Sequence, residues 1–135
     1  MATKQHATGT FEVKVTPVAG GDLGCASGRF TLSKAFAGDL VGTSQGDMWT
    51  AETGFKGSAG AVAIEKVEGT LRGRKGSFTL LHHGTMRRGA DYQLRIVVVP
   101  DSGTGELAGI EGTFAIRIEK DTHFYDLEYT LPASP

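Results

Sequence analysis

Apolar and polar side chains alternate with a period of two along most of this chain. Phe11, Val13 and Val15 are each followed by a polar residue, and helical periodicity is nearly absent. Such alternation predicts β-strands that bury one face. The later runs that share a parity are Phe30 and Leu32; Phe78, Leu80, His82 and Met86; Tyr92, Leu94, Ile96 and Val98; Phe114, Ile116 and Ile118; and Tyr125, Leu127 and Tyr129. Residues 59–71 fit one long strand or two short ones.

The connections between these runs are short and rich in turn-forming residues, at 20–22, 72–76, 88–91 and 120–122. Short turns make consecutive strands antiparallel neighbours. About eight such strands form an up-and-down meander, and closure into a barrel removes its exposed edges. We therefore predict an all-β protein with a single closed antiparallel barrel domain over residues 1–135.

Composition and charge exclude several classes of partner. The chain has 135 residues, of which 20 are glycine. Its net charge of −1 gives no basic surface of the kind that binds nucleic acid. The first ten residues are polar and no apolar run is long enough to span a bilayer, so we expect no membrane partner. A single cysteine, Cys25, cannot form an internal disulfide, which favours a reducing compartment and a cytoplasmic location.

The adjacent histidines His82 and His83 must face opposite sides of a strand. His82 shares its parity with Phe78 and Leu80, so we expect it to point into the barrel, where it could orient a ligand or move a proton. The alternative is a structural histidine that is hydrogen-bonded to a neighbouring strand. No spacing of histidines or carboxylates suits a metal site, and we predict none.

Glu65 belongs to an apolar run and has the parity of Ala61 and Ala63. If that side faces inward, Glu65 is a buried carboxyl with a raised pKa and a candidate acid or base. If Val62 and Ile64 face inward instead, Glu65 is solvated. We favour the second arrangement.

Aromatic residues complete the candidate site. Tyr92 and Tyr125 share parity with aliphatic residues, so both should face the core, where a hydroxyl can serve a ligand or the tyrosine can simply fill space. Trp49 ends a polar strand and suits either the rim of the barrel or a subunit contact. The candidate ligand-binding residues are thus His82, Tyr125, Tyr92, Glu65 and Trp49.

Both faces of the strand around residue 97 are apolar, because Val97 and Val99 alternate with Ile96 and Val98. An outer wall of this kind favours burial against another subunit. We predict a homo-oligomer, most simply a dimer, that uses this wall.

The glycine-spaced loop through Gly103, Gly105 and Gly109 leads into two final strands. It resembles the closing segment of allene oxide cyclase barrels. The spacing of its glycines differs from that of a dinucleotide-binding fingerprint, so no cofactor is predicted. The chain as a whole resembles a family of small bacterial proteins of unassigned activity with this barrel fold. The stretches that carry the resemblance are residues 9–17, 42–48, 57–65, 69–78, 83–86, 99–109 and 123–131.

The resemblance to allene oxide cyclases and, more distantly, dirigent proteins implies a barrel that confines a small apolar molecule. Three functions are consistent with this: a cyclase or isomerase that acts by confinement, a non-catalytic carrier, and a structural barrel in an oligomer. The first two require a cavity near His82 and Tyr125 of roughly 300 Å³ or more. The third requires a filled barrel.

Overall fold

The computed structural model describes residues 3–19 and 26–132, and all regular structure in this part of the chain is β-strand. The predicted turn at 20–22 and Cys25 lie outside the described residues. Within the described ranges no helix long and apolar enough to cross a membrane is found. The strands are β1 (Gln5–Pro17), β2 (Gly28–Gly38), β3 (Leu40–Glu52), β4 (Ala59–Leu71), β5 (Arg74–Arg87), β6 (Ala90–Val98), β7 (Thr104–Gly105), β8 (Glu111–Glu119) and β9 (Thr122–Thr130).

Eight of these strands close into an antiparallel up-and-down barrel, which confirms the predicted fold class. Each strand pairs with the next one along the chain, β6 pairs with β8, and β9 returns to β1. The two-residue strand β7 adds to the start of β5 and lies outside this cycle. Residues 59–71 form one continuous strand, β4, rather than two.

The seam between β6 and β8 has regular backbone pairing at only one point. A single pair, Val97 with Thr113, joins the two strands. Residues 90–96 of β6 pair with β5 alone, and residues 114–119 of β8 pair with β9 alone. Backbone pairing between β6 and β8 is therefore missing along half of the seam, at the end of the barrel where β1 ends and β9 begins.

The other end of the barrel is filled with apolar side chains. Leu107 and Ile110, from the connection between β7 and β8, are completely buried there, and so is Leu127 from β9. Phe36, Phe114 and Tyr125 pack as an aromatic cluster, with ring centroids 5.6 to 6.1 Å apart. This closed end is the hydrophobic core of the protein.

Candidate functional site

Four neighbouring strands each direct one polar side chain into the barrel interior. They are Lys34 on β2, Ser44 on β3, Glu65 on β4 and His82 on β5, and all four are buried. The strand register brings them together, because Lys34 lies opposite Ser44 and His82 lies opposite Ala63, two residues before Glu65. Alternation places Lys34, Glu65 and His82 on the same face as apolar neighbours two residues away, and Ser44 on the same face as two glycines.

Glu65 is the centre of this group and is completely buried. Its Oε1 lies 3.0 Å from Nζ of Lys34 and 2.7 Å from Nε2 of His82. The hydroxyl of Ser44 donates to its other oxygen, Oε2. The ammonium of Lys34 also lies 4.9 Å from the centre of the Phe11 ring, a favourable cation–π distance.

These donors keep Glu65 ionised. Burial alone raises the pKa of a carboxyl, but the hydrogen bond from His82, the charge of Lys34 and the hydrogen bond from Ser44 outweigh burial and lower the pKa of Glu65 to about 2. The carboxylate can then only accept hydrogen bonds, so all three partners must donate to it. The charge of Lys34 balances that of Glu65.

Small residues make room for the buried carboxylate. Gly46 lies opposite Glu65, and a Cβ at Gly46 would be 3.1 Å from the Cβ of Glu65 and 2.7 Å from the carbonyl oxygen of Ile64. A larger residue at position 46 would therefore collide with the backbone of β4 at Ile64 and Glu65.

Beyond this buried group, apolar side chains of inward parity are exposed. Val15, Leu94 and Ile118 have the inward parity of their strands, yet their exposed fractions are 47%, 57% and 62%. Leu94 and Ile118 lie in the parts of β6 and β8 that pair with a neighbouring strand on one side only, which explains their exposure. We call this end the open half of the barrel; its lining is apolar and the Glu65 group lies deeper inside.

Comparison with known proteins identifies a family. The model of a protein family of unknown function, DUF3224, matches residues 7–129. The chain belongs to the DUF3224 family. A crystal structure of a DUF3224 protein of unknown function from Shewanella oneidensis MR-1 is 47% identical, with a TM-score of 0.85 over 99% of this chain and 100% of that one. No curated protein matches.

These similarities support the barrel and the expected family of unassigned activity. Neither the DUF3224 model nor the Shewanella structure bears on allene oxide cyclases or dirigent proteins. Any chemistry of this DUF3224 protein must therefore be argued from its own residues.

The orientation predicted for the strand that carries Glu65, with Val62 and Ile64 facing inward, was wrong. Glu65 faces inward, while Val62 and Ile64 lie on the outer wall with exposed fractions of 50% and 59%. The reason is that three donors from adjacent strands compensate the carboxylate for its lost hydration, which a single strand's sequence does not reveal. Sequence reasoning also missed Lys34 and Ser44; the one available signal was that Lys34 has the parity of Leu32 and Phe36.

The three predicted aromatic residues do not meet His82 in one place. Tyr92 was expected to face the core but is 74% exposed, because it lies beside a register shift in β6 where the strand has no second neighbour. Tyr125 is buried at the closed end, where its hydroxyl accepts from the backbone N–H of Leu40 at 2.9 Å and lies 3.0 Å from the carbonyl oxygen of Ala37. Trp49 lies on the outer wall, with the Arg29 guanidinium 5.0 Å from the centre of its ring.

Grooves on the described surface lie along strand walls and connections. One of them, of about 670 Å³, is lined by outer-wall residues that include Trp49, Ile64 and Leu81. A second, of about 400 Å³, lies on the other side of Trp49. Neither groove is lined by His82 or Glu65. Among residues 3–19 and 26–132, no three histidine, cysteine or carboxylate side chains cluster as metal ligands would.

Proposed function

We propose that this protein binds a small, largely apolar molecule in the open half of the barrel. The observation that carries the proposal is the accessible apolar lining: Val15, Leu94 and Ile118 have inward parity but are not covered by other side chains. Apolar side chains that water reaches inside a fold are stabilised when a ligand covers them, by about 25 cal/mol for each Å² removed from water.

The deeper polar group gives such a ligand an orientation. His82 is the member of this group that retains access, with 11% of its side-chain surface exposed against 5% for Lys34 and none for Glu65. A few polar groups at the base of an apolar site are typical of small-molecule sites. The molecule would enter along the part of the seam where β6 and β8 lack backbone pairing.

The test is titration with the neutral apolar dye N-phenyl-1-naphthylamine, whose fluorescence rises when it leaves water. We expect saturable binding to the wild-type protein. The substitutions Leu94→Glu and Ile118→Glu should each weaken binding by at least about tenfold, equivalent to about 1.4 kcal/mol. Both positions are already exposed, so stability should change by less than about 0.5 kcal/mol.

The matched control is Val41→Glu. Val41 is 60% exposed, much like Leu94 and Ile118, but it lies on the outer wall near the closed end. It should leave dye binding unchanged. If Val41→Glu weakens binding as much as Leu94→Glu and Ile118→Glu do, the dye binds the outer surface and the proposal is wrong.

A second function, a structural barrel within a homodimer, is favoured by the outer wall. Ile64, Leu81 and Val97 lie in register across β4, β5 and β6, and Ile64 is 59% exposed. Asp47 lies opposite Ile64 on β3, and Lys66 lies two residues after it on β4. These two outward-facing residues carry opposite charges. A two-fold contact can place each of these charges opposite the other sign on a second copy, so the occupant that fits this wall is another copy of this chain.

Light scattering at micromolar concentration tests the dimer. The wild-type protein should have twice the mass of a single chain, and Ile64→Glu should have the mass of one chain. Val41→Glu again serves as the control, since it adds the same charge to a different part of the wall. A wild-type mass of one chain would reject the dimer without affecting the proposed binding site.

A further inference from the structure

The Glu65 carboxylate determines which nitrogen of His82 can act on a ligand. Because Glu65 only accepts hydrogen bonds, the Nε2 atom 2.7 Å from it must carry the proton. In the neutral ring the other nitrogen, Nδ1, then has a free lone pair. This is the arrangement in which a carboxylate orients a histidine to act as a base.

The Nδ1 atom is available for that role. It makes no hydrogen bond to any residue within 3–19 or 26–132. It is also not one of the fully buried polar atoms in these ranges, so its surface is not completely covered. The exposed 11% of the side chain thus leaves this edge of the ring accessible from the barrel interior. Lys34 binds the same carboxylate oxygen as His82 Nε2, so its charge lies on the Glu65 side of the ring.

We propose that His82 Nδ1 accepts a proton from the ligand, and that the ligand is an apolar molecule with one weakly acidic hydroxyl of the enol or phenol class. The ligand's O–H bond breaks, an N–H bond forms at Nδ1, and the electron pair remains on the ligand oxygen as an enolate or phenolate. The transfer consumes no other reactant. This inference rests on the proposed function, because it specifies which ligand the open half prefers.

The charges favour this class of ligand. In the proposed reaction the group starts with a positive Lys34, a negative Glu65 and a neutral His82. After transfer, two cations, Lys34 and His82, face two anions, Glu65 and the ligand oxygen. The group is neutral in both states, so no uncompensated charge is buried at either stage. An aliphatic alcohol can donate a hydrogen bond to Nδ1 but is too weak an acid to complete the transfer.

The experiment compares 4-nitrophenol with 4-nitroanisole, its methyl ether. The two have nearly the same shape and apolar surface, but only the phenol has a proton to transfer. At a pH where free 4-nitrophenol is protonated, binding to the wild-type protein should produce the visible absorbance of the phenolate. The phenol should bind at least about tenfold more tightly than the ether, a difference of about 1.4 kcal/mol.

His82→Gln removes Nδ1 while its amide can still donate to Glu65, so we expect the variant to fold, to lose the phenolate absorbance and to bind phenol and ether equally. His83→Gln is the control, because His83 is exposed on the opposite face of β5. It should behave as the wild type does.

The outcomes separate the two proposals. If phenol and ether both compete with the dye but bind equally and no phenolate forms, the open half binds ligands and the proton transfer is wrong. If neither compound displaces the dye and the dye itself does not respond to Leu94→Glu, the proposed function fails as well. Persistence of the phenolate absorbance in His82→Gln would assign the proton to another residue and overturn the role of His82.

Discussion

The two ends of this barrel bury different kinds of side chain. At the closed end, Leu71, Leu107 and Leu127 are completely buried, and the hydroxyl of Tyr125 is used by the turn between β2 and β3. Toward the open half, the fully buried residue is the carboxylate of Glu65, held by donors from three other strands. Apolar burial stabilises the fold by itself, whereas a buried ion pair commonly contributes little net stability compared with apolar residues of similar size.

The difference suggests that the two ends contribute differently to stability and to function. The closed end holds eight strands together, and nothing about forming a barrel requires charges in the interior beside the open half. A sequence that retains Lys34, Glu65 and His82 there keeps groups whose desolvation is costly. We therefore assign stability mainly to the closed end, and the proposed proton transfer to the Glu65 group beside the open half.

The largest expected effect comes from removing the carboxylate alone. Glu65→Ala leaves the buried ammonium of Lys34 without its counter-ion and should lower the free energy of unfolding by about 3–5 kcal/mol. Urea denaturation measures this change. Glu68→Ala, on the exposed face of the same strand, is the control and should change stability by less than about 0.5 kcal/mol.

Replacing the whole polar group tests whether its charges are needed for folding. The triple substitution Lys34→Met, Glu65→Leu and His82→Leu removes every charge and donor together, so it should recover most of the stability lost in Glu65→Ala. A triple variant that unfolds as readily as Glu65→Ala would mean that the barrel depends on the polar group, and the division between the two ends would be wrong.

Acidification should weaken the protein through the same carboxylate. The pKa of Glu65 is about 2 in the folded protein and has an ordinary value of 4.5. Its contribution is complete above pH 4.5 and is lost as the pH falls through 2, because the unfolded state takes up the proton first. The loss amounts to about 3 kcal/mol.

Urea midpoints measured across this acid range give the effect. The Glu65→Gln variant has no carboxyl at this position and should show a shallower decline than the wild type. Equal declines in the two proteins would show that Glu65 is not held ionised, and would remove the basis for the fixed tautomer of His82.

The sequence predicted the barrel well and the direction of its side chains in part, for a physical reason. Period-two alternation is a local signal, so the strands, their short turns and the inward side of His82 can be determined from neighbouring residues. The Glu65 group depends on which residues face each other across four strands, as Lys34 faces Ser44, and this register is not visible within any one strand. The prediction that Tyr92 faces the core was wrong for a related reason. The missing pairing between β6 and β8 depends on two segments that are distant in the sequence.

The smallest expected effect concerns the closed end. Tyr125→Phe removes the hydroxyl that accepts from the buried N–H of Leu40, and an unsatisfied buried group of this kind costs about 1–3 kcal/mol. Tyr129→Phe is the control, since its hydroxyl has one long contact of 3.4 Å, to Gln5, and its removal should change urea stability by less than Tyr125→Phe does. Dye binding in the open half should be unchanged in both variants, because neither hydroxyl lies there. If Tyr125→Phe weakens dye binding as strongly as Leu94→Glu does, then Tyr125 and the open half belong to one cavity, as the sequence suggested, and the two ends are not separate in function.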